Sequence, residues 1–197
     1  AMTGLRNTFV DINNVEAYFA YIKTLDGYGD INLAEKDSLL YSSGENLYMT
    51  GKYDKATEVF KSYLSEFPDG SFRQNAEYYL AESLMASGNK DEALKLYIEV
   101  TGEPNNQFLE QSLVAASAIL FDKEDYIMSL DYYERLEKAA SNDNNKLLAL
   151  KGQLRSASQA GDAQKTIVAA GKINNTGNLP EELRREATFM SAKANYS

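Results

Sequence analysis

Apolar and small side chains return along this chain at two spacings at once. Locally they recur every three to four residues, the period that aligns one face of an α-helix: Leu40, Gly44 and Leu47, then Ala81 and Leu84, then Leu113, Ser117 and Leu120. On a longer scale the same local pattern comes back every 36 to 37 residues. GKYDKATEVF begins at Gly51, GNKDEALKLY at Gly88, EDYIMSLDYY at Glu124 and GDAQKTIVAA at Gly161. Upstream, NNVEAYFAYI from Asn13 fits a degenerate copy. A fixed period of this length marks a repeat architecture, in which each unit buries its apolar face on its neighbours.

Two helices fit within one period. In the second of each pair a small residue, Ala56, Ala93, Ser129 or Thr166, is followed four places later by Phe60, Tyr97, Tyr133 or Ala170. The small residue lets two helices approach, and the side chain one turn on fills the space beside the crossing. Gly51, Gly88 and Gly161 stand where a left-handed residue ends a first helix. Glu124 takes that place in the third copy. Pro68-Asp69-Gly70 and Pro104-Asn105-Asn106 stop second helices, and Pro180 opens a last helix running through roughly Asn195. The fourth copy has Ala157, Ala163 and Ala170 where larger residues would fill space, so it is expected to lean on its neighbours.

Small residue, aromatic and terminal proline at these offsets resemble the tetratricopeptide repeat, whose usual length is about 34 residues. A helical-hairpin period of this size also fits other α-solenoids. The resemblance implies an all-α, right-handed α-solenoid of tetratricopeptide-like helical hairpins, with the extra length of each period in the turns between repeats. The expected organisation is a degenerate half-repeat or cap with linker at 3–36, repeats at 37–70, 73–106 and 108–141, a degenerate repeat at 146–177 and a half-repeat helix at 180–197. GENLYMTGKYDKATEVFKSYLSEFPDGSF and AEYYLAESLMASGNKDEALKLYIEV are similar to repeats of bacterial cell-envelope proteins of the Tol–Pal-associated coordinator and outer-membrane assembly lipoprotein types. This implies a periplasmic setting. GLRNTFVDINNVEAYFAYIKTLDGYGDINLAEKDSLLY resembles part of large multi-repeat proteins of Gram-negative bacteria, which implies a fragment with repeats on both sides. Ala1-Met2 reads as the scar of a cleaved tag.

Composition narrows the chemistry. With 44% hydrophobic and 25% charged residues the chain has the makeup of a folded protein, and a net charge of −9 without a basic run opposes nucleic-acid binding. No run of 18 apolar residues and no basic-then-apolar start occurs, so neither a membrane-spanning helix nor a signal peptide is expected in this segment. There is no cysteine and no histidine, which removes thiolate and imidazole chemistry, the Ser/His/Asp triad and the common zinc sites. Glycine-rich phosphate loops are absent. Asp122–Asp125 and Asn142–Asn145 lack the cation-loop pattern and read as a helix start and a loop. No enzymatic activity, cofactor or metal is expected.

Stacked first helices form a surface, and with the repeat frame fixed its residues follow. They are Tyr41, Glu45 and Tyr48; Tyr78, Glu82 and Met85; Val114, Ala118 and Phe121; Lys151, Arg155 and Ser158. The Lys and Asn that some tetratricopeptide domains use to hold a peptide carboxylate are replaced here by Tyr and Glu, so the resemblance does not extend to acidic C-terminal tails. Tyr41, Tyr48, Tyr78 and Met85 offer adaptable surface, while Glu45 and Glu82 favour a Lys or Arg on the partner. Lys151 and Arg155 reverse the sign. The expected function is a protein–protein interaction scaffold for a peptide or helix with a basic segment, over residues 41–122. A carbohydrate-binding envelope module and a self-association module are the other readings.

Overall fold

The computed structural model describes residues 2–11, 14–25, 32–103, 105–177 and 179–196. Eleven α-helices and no strand occur among the described residues: α1 (Met2–Asp11), α2 (Val15–Ile22), α3 (Leu33–Met49), α4 (Tyr53–Glu66), α5 (Arg73–Ala86), α6 (Lys90–Thr101), α7 (Leu109–Asp122), α8 (Tyr126–Ala139), α9 (Asp143–Gln159), α10 (Ala163–Asn175) and α11 (Glu181–Asn195). The chain divides into two compact units, residues 1–96 and 97–197, with the division inside α6. Asn13 and Pro104, which the sequence pattern singled out, lie outside the described residues.

The turn inside each hairpin is fixed by backbone conformation. Gly51, Gly88 and Gly161 adopt φ of 73°, 84° and 72°, a region that costs most L-residues energy and glycine almost none. Each sits in a paired closure of the preceding helix. Gly51 N–H donates to Tyr48 O at 2.9 Å and Lys52 N–H to Leu47 O at 2.9 Å, and the same two bonds recur at Gly88 with Asn89 and at Gly161 with Asp162. Glu124 makes the same pair of bonds, through Asp125, at φ 62°. The third hairpin thus turns identically without glycine, with an exposed glutamate held in the left-handed region.

The small positions do close the helix crossings. Ala56, Ala93 and Ser129 are completely buried, as are Phe60 and Ala170. A Cβ added to Gly44 of α3 would stand 2.7 Å from Cε1 of Phe60, so this glycine is required by contact rather than by conformation. In the second unit, the Ser129 hydroxyl donates to Ser117 O at 3.0 Å and lies 3.0 Å from Ser156 Oγ, linking α7, α8 and α9 through buried polar atoms. Leu150, Leu154, Ala169, Ala170 and Ile173 form one cluster with Leu183 and Ala187, so α11 covers the alanine-rich α9–α10 pair.

The extra length of the period requires a correction. Between Gly51 and Glu124 it does lie in connections, residues 67–72 and 102–108. Between α8 and α9 only residues 140–142 connect, and α9 itself has 17 residues against 14 in α5 and α7. Asn142 caps α9 three residues earlier than the turn expectation allows, accepting from Asn145 N–H at 2.9 Å. The local capping chemistry lengthened the helix where a loop was expected.

Connections are also tied down by carboxylates at the starts of first helices. Asp37 of α3 is buried and accepts from the Tyr63 hydroxyl and from Ser71 N–H at 2.9 Å, while Phe72 N–H donates to the Tyr63 oxygen at 3.0 Å. Glu110 of α7 does the same work in the second unit, accepting from Ser141 N–H at 3.1 Å and Asn145 Nδ2 at 2.7 Å. These hydrogen bonds hold its carboxyl below the usual range, with the Asn145 amide contributing most.

Candidate functional site: a tyrosine and glutamate face

The first unit brings the two Tyr-x-x-x-Glu segments together. On α3 the Tyr41 hydroxyl donates to Glu45 Oε1 at 2.7 Å, one helical turn along. On α5 Tyr78 and Glu82 repeat the spacing, and the Glu82 carboxylate acts electrostatically on the hydroxyls of both Tyr78 and Tyr48. Tyr48 lies against Tyr79 with ring centroids 5.0 Å apart and meets Tyr53 edge-on at 5.7 Å. Tyr78 and Tyr79 are in edge contact at 5.5 Å. The result is a set of interlocked phenols accompanied by two carboxylates.

The members of this face are not equivalent. Tyr41 is only 4% exposed, because its ring stacks on Phe72 at 4.6 Å and 5°, tilts against Phe60 and meets Tyr63 edge-on. It supports the face from below and orients Glu45. Tyr48, Tyr78, Glu45, Glu82 and Met85 are half-buried and retain surface for a contact. Burial, followed by the neighbouring carboxylates, pushes the Tyr41, Tyr48 and Tyr78 hydroxyls above the ordinary phenol value. They therefore remain neutral donors, and the negative charge of the face resides on Glu45 and Glu82.

Two participants escaped the sequence reading. Tyr79 touches Tyr48, Phe60 and Tyr78 and joins the surface to the core. Asn75 hydrogen-bonds the Tyr41 hydroxyl. The adjacent tyrosines at 78 and 79 were a visible signal for the first. For Asn75 there was none, since its use depends on how α5 is set beside α3.

The remaining predicted residues lie in the second unit. Phe121 is half-buried and meets Tyr126 edge-on at 5.3 Å, as Tyr48 meets Tyr53 in the first unit. Arg155 is engaged by Glu186 of α11, with Nε to Oε1 at 2.6 Å and Nη2 to Oε2 at 3.0 Å. That pairing raises the guanidinium pKa and lowers that of the carboxyl, in each case chiefly through the hydrogen bonds. Lys151, half-buried, adds its charge beside Glu186. The reversal of sign expected at Lys151 and Arg155 is therefore answered within the same unit by Glu186, a residue the periodic pattern did not single out. No group of His, Asp and Glu suited to a metal occurs among the described residues, and no described helix is long and apolar enough to cross a membrane.

Known proteins agree with this architecture. The family model described as tetratricopeptide repeat matches residues 47–116. Two Pseudomonas putida sequences of the cell division coordinator CpoB are 32% identical to this chain over 54 residues, which is 27% of this chain and 20% of the relative. The chain thus spans a fifth of the length of these curated relatives. Two crystal structures of nearly identical TPR-like repeats, described as from a kinesin light chain of Podosopora anserina, superpose with TM-scores of 0.53 and 0.52 at 13% identity. They cover 85% and 83% of this chain, and 88% and 87% of their own chains. The fold is accordingly all-α and of the TPR-like solenoid class.

Proposed function

We propose that this chain, whose residues 47–116 are tetratricopeptide repeats, is a non-enzymatic protein-interaction scaffold that docks a segment of a partner protein on the α3–α5 face of its first unit. The observation that carries the reading is the packing of Tyr48, Tyr78 and Tyr79 on one another, with Glu45 and Glu82 acting electrostatically on Tyr79. Tyrosines contribute large contact area with little conformational entropy to lose, and those already packed on one another lose less still. A tetratricopeptide array supports protein binding in general. The partner is a peptide or helix with a basic segment, and the setting is the bacterial cell envelope on the periplasmic side. The setting rests on the resemblance to envelope-protein repeats and on the 54-residue likeness to a cell division coordinator.

The test is capture from an envelope extract with the purified chain, run beside a Tyr48→Ala, Tyr78→Ala double variant and read by mass spectrometry. A partner held by the parent chain and lost by the variant is the expected result. Equal capture by both would refute the assignment of the face.

A further inference from the structure

The register of α3 against α5 adds a second source of charge to this face. Tyr41 contacts Phe72 and Asn75, and Tyr48, two turns later, contacts Tyr79 and Glu82. Contact partners rise together along both helices, so α3 and α5 run parallel and their C-terminal ends lie on the same side. Glu45 is one turn from the end of α3 and Glu82 one turn from the end of α5. Neither helix has a basic residue in its last turn. Two negative helix ends and two carboxylates thus act on the same rings, which are themselves electron-rich.

We propose, building on the docking role above, that this face is a socket for an arginine side chain of the partner, its guanidinium stacked on a tyrosine ring and hydrogen-bonded to Glu45 or Glu82. Glu45 and Glu82 both act electrostatically on Tyr79, so a cation over these rings is drawn by two carboxylates. Guanidinium suits this better than ammonium for three reasons: it is flat, its donors lie in one plane, and it is weakly hydrated. An acidic segment is excluded by the same charges.

The experiment uses the full chain, isotope-labelled and followed by amide chemical shifts, with three short peptides that differ only in a central Arg, Lys or citrulline. Citrulline keeps the shape of arginine and lacks its charge. The expected result is a saturable shift confined to residues around 45–48 and 78–82, with the Arg peptide binding on the order of tenfold tighter than the citrulline peptide and the Lys peptide between. The conservative Glu45→Gln, Glu82→Gln variant should keep its folded spectrum and lose the preference. Equal binding of Arg and citrulline, shifts elsewhere, or no saturable shift would overturn the arginine assignment. If the tyrosine variant nevertheless still loses a captured partner, the docking role stands and only the arginine assignment falls.

Discussion

Gly152 of α9 lies so close to the ring of Tyr133 of α8 that an added Cβ would stand 2.4 Å from Cδ1. Tyr133 is the large residue four places after the small Ser129, so one contact joins the repeat signature of α8 to a glycine of the next helix. Gly152→Ala should lower stability by about 1–3 kcal/mol through overpacking. Gly171 provides the contrast. It lies inside α10 with nothing within 4 Å of an added Cβ, and Gly171→Ala should raise stability by roughly 0.5–1 kcal/mol through helix propensity. Urea unfolding of both variants checks the pair.

Glu124 holds a left-handed conformation that glycine holds in the other three turns. Glu124→Gly should therefore stabilise the chain by about 1 kcal/mol, and Gly88→Ala should destabilise it by a similar amount. Thermal melts of the two variants should move in opposite directions.

Removing the Asp37 carboxylate leaves the Tyr63 hydroxyl and the Ser71 amide without their acceptor. Asp37→Ala should cost about 1–3 kcal/mol, and the loss should be largest in amide exchange of residues 67–72. An unchanged exchange rate there would show that the carboxylate does not secure the connection.

Stability should fall at both ends of the pH scale. The Glu110, Glu137 and Glu186 carboxyls lie below the ordinary value of 4.5; at Glu137 burial acts the other way and is outweighed by hydrogen bonds from Lys172 and Gln153. A depressed folded-state pKa contributes stability that is present above the unfolded value and disappears as pH falls through the folded one. Acid unfolding should therefore begin below about pH 4.5. The Tyr41, Tyr63 and Tyr78 hydroxyls lie above 10.0, chiefly through burial, so their contribution is present below pH 10.0 and disappears as pH rises through their folded values. Tyrosinate absorbance near pH 11 should stay below that of the urea-unfolded chain and reach it only on alkaline unfolding.

The hairpin geometry was legible because it rests on local rules. Glycine at the turns, a small residue at each crossing and a large one four places on are readable from spacing alone, and Ala56 with Phe60 or Ser129 with Tyr133 pack as that spacing requires. What needed three dimensions were the uses of polar side chains across helices. Nothing in the sequence marks Asp37 as a clamp on a connection 34 residues away, and nothing separates Tyr41, which faces inward onto Phe72, from Tyr48, two turns later on the same helix. Arg155 illustrates the same limit. Its spacing placed it on the first-helix surface, while its charge is answered by Glu186 on α11, a partner that no spacing rule picks out.

The most direct test is carbodiimide labelling of carboxylates on the full chain, with and without the partner recovered by capture and read by peptide mass spectrometry. Glu45 and Glu82 should lose most of their labelling when the partner is bound, while Glu58 on α4 keeps its own. Unchanged labelling at Glu45 and Glu82 in a saturated complex would contradict the claim that this face binds the partner.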